Sequence, residues 1–312
     1  MSRKLDVLCV SDMCADLLVR GNTRPRFRQV EQLVDEFRME LGGSANLFAS
    51  QFVKLGGTAG IIGWVGDDLL GRFLMERLGE IGIDASRVRR KAGAGTGAGI
   101  ALIDGDDRAM LTFMGTIDRV EPGELRKGLT TQCRHWHIAS FYLLTKIRHA
   151  WKALLRRLKS SGVTVSLDTN WDPAEKWDSV DELLPFVDIF LPNEAEAIAI
   201  SGEKDFKRAG RKLSSSGTLV VVKRGGKAPW AFHGGKIWEG RIPKGARHRV
   251  VDTTGGGDSF DAGFVRSWQL GYTVDDSLVR AFRCGQACIS AIGGIAGQLK
   301  ENVRPNTRTY NP

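Results

Sequence analysis

The chain has 312 residues, of which 42% are hydrophobic and 26% are charged, a length and composition typical of a folded protein with a large core. No apolar run approaches the ~20 residues that span a bilayer, and no long apolar segment follows Met1, so we expect neither a membrane span nor a signal peptide. The net charge is +9, but the basic residues lie in short groups without an aromatic stripe, which suits a phosphate-rich substrate and predicts no nucleic-acid partner.

The first part of the chain alternates strand-like and helical runs. Residues 4–10 favour a buried strand, and the run from 41 to 55 favours a helix that a pair of glycines ends. Residues 58–65 predict the next strand, and a further helix opens at 66–71 and ends near Gly79.

Two segments interrupt this alternation. Residues 27–39 mix apolar and charged residues as a strand does, and the strand-like runs 96–103 and 108–114 flank an Asp-Gly turn signal. We predict that these segments form a small β-sheet lid beside the main sheet, with strands within about 17–41 and 93–116.

Strands and helices alternate again from residue 134 onward, the pattern of a parallel sheet covered on both faces. The strand-like runs are 135–140, 163–168, 187–191 and 218–223, and the helical runs are 147–158, 193–200 and 206–213. A second hairpin over 230–239 and two helices, from about Gly257 and about Asp275, complete a single domain predicted over residues 1–300. The remaining residues, 301–312, are expected to form a loosely held tail.

The cysteines indicate the redox environment of the protein. There are five, and they are scattered along the sequence: Cys9, Cys14, Cys133, Cys284 and Cys288. The last two share a helical spacing, but no nearby His or second Cys pair completes a tetrahedral metal site. We therefore expect buried free thiols, which are typical of a cytoplasmic protein.

The most informative stretch is 250–264, in which Gly255, Gly256 and Gly257 separate a Thr pair from Asp258. Three consecutive glycines are unfavourable within a helix, but they suit a loop in which several backbone N–H groups point towards the same ligand. At the start of a helix those groups carry the positive end of the helix dipole. A carboxylate beside such an anion site is what phosphoryl transfer to a hydroxyl requires. A Gly-rich hairpin turn is the structural alternative, whereas dinucleotide-binding and Walker A fingerprints are not matched.

Two patches of the sequence resemble the ribokinase-like (PfkB) carbohydrate kinases: the Gly-Gly-Ser-Ala-Asn stretch at 42–46 and the stretch at 252–264. The likeness extends from Asp12 to about Gly294 and includes the alternating pattern between the patches. It implies a ribokinase-like α/β fold, in which a central, mostly parallel β-sheet is flanked by helices in three layers (α/β/α) and carries the small lid. It also implies a kinase that uses ATP and Mg²⁺.

The resemblance implies a role for each matching residue. Asp258 would be the general base, and the amides of Gly255, Gly256 and Gly257 would hold the transferring phosphoryl group. The sugar would be bound by Asp16, Gly42, Gly43, Asn46, Asp168 and Asn170, and the nucleotide by Asn193, Lys223, Gly225, Gly226 and Thr254. Asn193 and Glu196 would organise Mg²⁺ through water, and Asp252 would belong to a site for a monovalent cation such as K⁺.

Some of these residues also have an ordinary structural interpretation. Asn193 and Glu196 have the spacing of a helix capping box, although Mg²⁺ also prefers such oxygen ligands. Asp16 could simply lie at a strand end or in a turn, and Ser44 could cap the helix that follows the glycine pair at 42–43.

Asp258 could likewise act only as a first-turn residue of its helix, where an acidic side chain is favoured. The dipole is expected to lower the pKa of this carboxyl and keep it ionised at pH 7, able to accept a proton. Asp261 lies three residues further on, and we expect the helix to turn it towards other surroundings.

The sequence departs from the family pattern at positions that bear on the site. Cys14 stands where many members have Asn, so one polar sugar contact is expected to be missing, and Gly256 stands where Ala is frequent. Asp172 occupies a position at which several sugar-kinase branches carry Arg. Because a carboxylate there would repel a sugar acid or sugar phosphate, we predict a neutral substrate.

Together these patterns predict transfer of the γ-phosphoryl group of ATP to a hydroxymethyl group of a neutral sugar. A nucleoside kinase of the same fold is one alternative, in which aromatic side chains would stack on a base instead of packing in the core or lid. The candidates for such stacking are Phe113, Phe141, Tyr142 and Trp171. A non-catalytic sugar- or nucleotide-binding protein is the other alternative. No membrane partner is expected, and the lid is a candidate surface for a homodimer.

Overall fold

The computed structural model describes residues 4–104, 107–125 and 132–306. The strands of this part of the chain, numbered in chain order, are β1 (Leu5–Val10), β2 (Cys14–Arg20), β3 (Glu36–Leu41), β4 (Ala59–Gly66), β5 (Asp84–Lys91), β6 (Gly97–Asp104), β7 (Asp107–Phe113), β8 (Cys133–Ile138), β9 (Thr164–Leu167), β10 (Ile189–Phe190), β11 (Leu219–Val222), β12 (Trp230–His233) and β13 (Lys236–Glu239). The α-helices are α1 (Ser44–Lys54), α2 (Leu69–Ile81), α3 (Thr145–Arg148), α4 (Trp151–Ser160), α5 (Glu194–Ser201), α6 (Phe206–Ser214), α7 (Gly256–Gln269) and α8 (Val274–Cys288).

A large sheet runs through the centre of the molecule in the order β13-β12-β11-β10-β9-β8-β1-β4-β5. Its neighbouring strands are parallel from β5 through to β11, whereas β12 and β13 add an antiparallel hairpin at one edge. The mostly parallel sheet predicted from the alternation of strands and helices is therefore confirmed.

Helices cover both faces of this sheet, which gives three layers. Alternate residues of β1 enter opposite cores, because side chains alternate across a strand: Leu8 and Val10 join one core, and Val7 and Cys9 join the other. The first core also takes the apolar faces of α4, α5 and α6, and the second takes those of α1, α2, α7 and α8. No helix of the described chain is long and apolar enough to cross a membrane.

A separate four-stranded sheet in the order β3-β2-β6-β7 lies beside the large one. The expected hairpin is present as the antiparallel pair β6 and β7, whose turn falls outside the described residues. Of the expected strand at 27–39, only the end from Glu36 is extended, because Arg28 and Gln29 adopt φ of 73° and 59° within a turn.

Two other features differ from the expectations. The sequence predicts no strand over β5, because its charged residues show no apolar alternation; the strand forms at the sheet edge by pairing with β4. The tail is held as far as it is described: the Glu301 and Val303 amides donate to the carbonyls of Lys54 and Leu55 at 3.0 and 3.2 Å. Val303 is buried between these segments, so this part of the tail is packed and not loose.

Candidate active site

Three neighbouring strands of the large sheet end in polar side chains. Asp168 follows β9, Asn193 follows β10, and Lys223 follows β11. The carboxyl ends of parallel strands share one edge, where open α/β sheets usually bind their ligands. A cavity of about 480 Å³ opens there, and its walls include Ser44, Asp168, Asn170, Asn193, Glu196, Lys223, Gly225, Gly226, Gly255, Gly256, Gly257 and Asp258.

The glycine loop forms the N-terminus of α7 at the wall of this cavity. Gly255 is the N-cap with φ of 70°, and a Cβ there would lie 2.9 Å from the Cα and O of Gly294, so the position requires glycine. Within the described residues, the amides of Gly255, Gly257 and Asp258 have no acceptor, whereas Gly256 donates to the Thr253 carbonyl at 3.3 Å. The loop therefore presents unpaired donors and a positive helix end to the cavity.

The middle glycine of the loop has a packing explanation. A Cβ on Gly256 would lie 2.7 Å from Cγ2 of Ile289. An alanine, frequent at this position in the family, would therefore crowd the Ile289 side chain in this chain.

Asp258 lies in the first turn of α7 with only 8% of its surface exposed. Burial raises the pKa of its carboxyl to about 7, and the Asp168 charge adds to the rise, while Lys223 and the Ser44 hydroxyl oppose it. The expectation that the helix dipole would lower this pKa is wrong, because loss of hydration outweighs the dipole. A pKa near 7 suits a group that takes up a proton near neutral pH.

Lys223 links two carboxylates beneath the cavity. Its Nζ lies 2.6 Å from Oδ2 of Asp168 and 3.0 Å from Oδ2 of Asp261. Burial opposes ionisation of Asp168, but the Lys223 ammonium outweighs it and holds the pKa of Asp168 below its usual value. The expectation that Asp261 faces other surroundings is wrong: one turn of α7 carries it beneath the same cavity, where burial raises its pKa.

Asn193 and Glu196 form the capping box of α5. The Asn193 side chain accepts from the Glu196 amide at 2.9 Å, and Glu196 Oε2 accepts from the Asn193 amide at 2.8 Å. Both residues also line the cavity, and burial, together with the charge of Asp168, raises the pKa of Glu196 to about 7. No group of three or more acidic, His or Cys side chains that could hold a metal ion lies in the described chain. The Asn193 and Glu196 side chains supply oxygen ligands of the kind that Mg²⁺ accepts while it keeps most of its water shell.

The residues predicted to bind sugar fall into two groups. Asp168 and Asn170 line the cavity, whereas Asp16, Gly42, Gly43 and Asn46 lie beside it around the start of α1. A Cβ on Gly42 would lie 2.2 Å from Oδ1 of Asp16, so this glycine lets the carboxylate approach the backbone. Asn46 is fully buried; its Oδ1 accepts from the Ser11 hydroxyl at 2.8 Å, and its Nδ2 donates to the Gly42 carbonyl at 2.8 Å.

Asp12 is a residue of this region for which no role was predicted from the sequence. Its carboxylate accepts from the amides of Ser44 at 3.1 Å and Ala45 at 3.4 Å, and from the Ser140 hydroxyl at 2.7 Å. It thereby caps α1, whose N-cap Gly43 has no side chain to do so. The Ser140 amide also donates to Oδ1 of Asn170 at 2.7 Å, which connects this cap to the cavity wall. An Asp directly after β1 was the available signal.

Asp252 and Thr254 lie just before the glycine loop and outside the cavity walls. Oδ1 of Asp252 accepts from the Thr254 amide and hydroxyl at 2.9 and 2.7 Å, and its Oδ2 accepts from the Gly293 amide at 2.9 Å. The Thr254 and Gly294 carbonyls lie 3.4 and 3.3 Å from Sγ of Cys288. These bonds tie the approach to Gly255 to the segment after α8.

Asp172 organises its own loop. Its carboxylate accepts from the amides of Ala174, Lys176 and Trp177 at 2.9, 2.8 and 2.9 Å. Burial of this carboxyl is outweighed by those amides, so its pKa lies below the usual value. Because the charge is already stabilised inside the loop, it is a weaker argument for a neutral substrate than the sequence suggested.

The aromatic candidates lie in different surroundings. Phe141 and Tyr142 are buried in the core, and Phe113 lies on an exposed face of the small sheet. Trp171 directly follows Asn170, is 51% exposed, and meets Trp177 edge to face at 4.8 Å.

The sheet covered by helices on both faces and the smaller second sheet define the ribokinase-like fold, which solved structures share. Ribokinase from Arabidopsis thaliana, complexed with ribose and ATP, is 22% identical with a TM-score of 0.78, covering 96% of this chain and 96% of that chain. Adenosine kinase from Sinorhizobium meliloti is 20% identical with a TM-score of 0.81, covering 93% of this chain and 95% of that chain.

The chain belongs to the pfkB family of carbohydrate kinases, whose pattern matches residues 4–301. Among curated relatives, fructokinase from Klebsiella pneumoniae is 32% identical, over 81% of this chain and 87% of the relative. The 5-dehydro-2-deoxygluconokinase of Geobacillus thermodenitrificans is 27% identical, over 93% of this chain and 88% of the relative. The resemblance is thus confirmed, and the chain is a phosphotransferase with an alcohol group as acceptor.

Proposed function

We propose that this chain transfers the γ-phosphoryl group of ATP to a hydroxymethyl group of a neutral sugar, with the residue roles given below. One observation carries the proposal: unpaired amides at the start of α7 and the Asp258 carboxyl lie together at the wall of one cavity. Donors aimed at the place where charge develops, beside a group that accepts a proton, are the parts that such a transfer needs.

In the proposed reaction, the amides of Gly255 and Gly257 hold the oxygens of the γ-phosphoryl group, and the Gly256 amide joins them by giving up its 3.3 Å bond to the Thr253 carbonyl. The acceptor hydroxyl forms a new O–P bond while the P–O bond to the β-phosphate breaks, and ADP leaves with that electron pair. Asp258 takes the hydroxyl proton, so atoms and charge balance. Because Asp258 is held on a rigid helix, little reorganisation is needed at the moment of transfer.

The nucleotide is assigned to the part of the cavity lined by Asn193, Lys223, Gly225 and Gly226. Asn193 and Glu196 would hold Mg²⁺ through water. When bound, this ion would supply positive charge that neutralises the phosphates. A K⁺ site at Asp252 remains a prediction, and activity in K⁺ compared with Na⁺ buffer tests it.

The sugar is assigned to the side of the cavity next to α1, where Asp168 and Asn170 line the wall and Asp16 lies behind Gly42. Gly43 and Asn46 would shape this side from the start of α1. Carboxylates and amides suit neutral hydroxyls as hydrogen-bond partners. The relatives named above include both a fructokinase and a 5-dehydro-2-deoxygluconokinase, so neutral and acidic substrates must be compared directly.

The test is ADP release with ATP and Mg²⁺ across ketoses, aldoses, sugar acids and nucleosides. We expect turnover with a neutral sugar and its loss in Asp258→Asn, with ATP affinity kept. A sugar acid or sugar phosphate as the best substrate would overturn the neutral-substrate assignment. ATP binding without turnover on any acceptor would favour the non-catalytic binding protein.

A nucleoside acceptor is the second candidate, and exposed Trp171 beside the cavity residue Asn170 favours it. An indole that is half exposed has a free face on which a base could stack. In this case adenosine or cytidine would compete with the sugars, and Trp171→Ala would raise KM for the nucleoside while leaving a sugar unaffected.

We also propose a homodimer through the small sheet. Pairing places eight apolar side chains on one face of it: Leu17, Val19, Phe37, Met39, Ile100, Leu102, Leu111 and Phe113. Phe37, Leu111 and Phe113 are 63%, 57% and 59% exposed, and apolar patches of this kind commonly pair with another surface. Light scattering should show a dimer that Leu111→Asp dissociates, whereas Ile237→Asp, on the large sheet, should leave it intact.

The cytoplasmic location likewise remains a proposal, in keeping with five buried free thiols.

A further inference from the structure

Lys223 is a buried lysine at the end of strand β11, and its charged group lies between two carboxyl groups. Its side chain is 11% exposed and lines the cavity, and both Asp168 and Asp261 hold its Nζ. Burial opposes its charge, but the two carboxylates outweigh that effect and hold the pKa of Lys223 above its usual value. The ammonium is therefore charged and fixed in direction.

The ammonium has one N–H left over. An ammonium group has three donors, and in the described chain Nζ of Lys223 donates only to Asp168 and Asp261. The group lies against the glycine loop, since a Cβ on Gly257 would be 3.6 Å from Nζ. The remaining donor and the unpaired Gly257 amide thus lie at the same part of the cavity wall.

The other cations of the described cavity wall are placed differently. Arg224 pairs with Glu194 at 2.9 Å and lies over the Phe206 ring at 4.0 Å, while Lys227 is exposed. Neither has the burial and the fixed geometry of Lys223, and a desolvated charge acts more strongly than an exposed one.

We infer that Lys223 is a catalytic residue whose remaining N–H contacts the γ-phosphoryl group, with Asp168 and Asp261 as its positioning residues. This inference rests on the proposed function and adds a specific contact to it. Lys223 would bind an oxygen of the γ-phosphoryl group beside the Gly257 amide, and would keep that contact while the group moves to the acceptor. It would therefore distinguish a nucleotide that has a γ-phosphoryl group from one that lacks it.

The test compares the affinities for ADP and for the non-hydrolysable analogue AMP-PNP, by isothermal titration calorimetry with Mg²⁺. Lys223→Gln keeps an amide that can donate to Asp168 and Asp261 but loses the charge. Lys227→Gln, on the same wall but exposed, is the matched control. Because no acceptor is needed, the experiment does not depend on identifying the sugar.

We expect Lys223→Gln to weaken AMP-PNP binding by about tenfold or more, the size of a charged hydrogen bond, while ADP binding changes less than about threefold. Lys227→Gln should change both affinities by the same factor. Equal changes for the two nucleotides in Lys223→Gln, or no change, would overturn the inference. A wild-type protein that binds neither nucleotide would instead overturn the proposed function. If Lys227→Gln weakens AMP-PNP binding alone and as strongly as Lys223→Gln does, the charge of any cation on the cavity wall is sufficient for the effect. That result would also overturn a specific contact by Lys223.

A second measurement separates catalysis from folding. Lys223→Met combined with Asp168→Asn removes the cation together with the carboxylate whose ionisation it favours, so no uncompensated buried charge remains, and Asp168→Asn alone is the reference. If Lys223 contacts the phosphoryl group, kcat of the double variant stays about 10²–10³-fold below that of Asp168→Asn although the two variants have similar thermal stability. A kcat equal to that of Asp168→Asn would show that Lys223 has only a structural role.

Discussion

Asp258→Asn should abolish turnover and at the same time stabilise the folded protein. Burial raises the pKa of Asp258 from 3.8 to about 7, a difference of about 3 units. At 1.36 kcal/mol per unit, the ionised carboxylate costs the folded state about 4 kcal/mol at pH 8. The amide of Asn has no charge to desolvate, so the variant avoids this cost.

The sign of the pH dependence follows from the direction of the shift. The folded state binds the proton more tightly than the unfolded state, so the stability of the wild-type protein falls as pH rises from about 4 to about 7. The advantage of Asp258→Asn should therefore be about 4 kcal/mol at pH 8, about 2 kcal/mol at pH 5, and near zero at pH 3.

Urea denaturation of both proteins at these pH values is the assay, with ADP release measured in parallel. Asp275→Asn is the matched control, because Asp275 also lies in the first turn of a helix but is exposed. It should change stability by less than about 1 kcal/mol at every pH. A less stable Asp258→Asn protein at pH 8, or a difference that is the same at pH 5 and pH 8, would refute the reasoning.

Three further predictions concern the same region. The value of kcat/KM should rise with pH and level off above about 7 because the base must be unprotonated, and a profile that is flat from pH 5.5 to 8 would contradict this role. Gly255→Ala should cost more stability than Gly82→Ala: both have positive φ, which costs about 1–2 kcal/mol, but only Gly255 has backbone 2.9 Å from the added Cβ. Equal unfolding free energies for those two variants would remove the steric explanation. Asp172→Asn should destabilise the protein by about 1–3 kcal/mol because it loses charged acceptors for loop amides, without changing the ratio of kcat/KM for a sugar and a sugar acid. A changed ratio would return Asp172 to the substrate site.

Much of the fold could be predicted because its elements carry local signals. The apolar strands β1, β9 and β11 show their periodicity in the sequence, and an Asp-Gly signal separates the two strand-like runs that pair as β6 and β7. Strand β5 could not be predicted in this way, because Arg87, Arg89 and Arg90 hide the pattern and the strand depends on pairing with β4. The tail also depends on distant partners, since Val303 is held by the end of α1.

The candidate site shows the same division. The glycine loop and Asp258 could be placed at a helix start from sequence alone, because N-terminal helix chemistry is local. The pKa of Asp258 could not, since it depends on burial and on charges that come from β9 and β11. The contact between Lys223 and Asp261 likewise joins residues 38 positions apart, and only the fold brings them together.

The most direct measurement is a crystal structure of the protein with ADP, Mg²⁺, aluminium fluoride and the preferred sugar. The account predicts that the fluoride, which mimics the group in transit, lies within hydrogen-bond distance of the amides of residues 255–257. It also predicts that the sugar hydroxyl lies about 3 Å from the Asp258 carboxylate. A fluoride bound away from the start of α7, or an acceptor hydroxyl out of reach of Asp258, would contradict it.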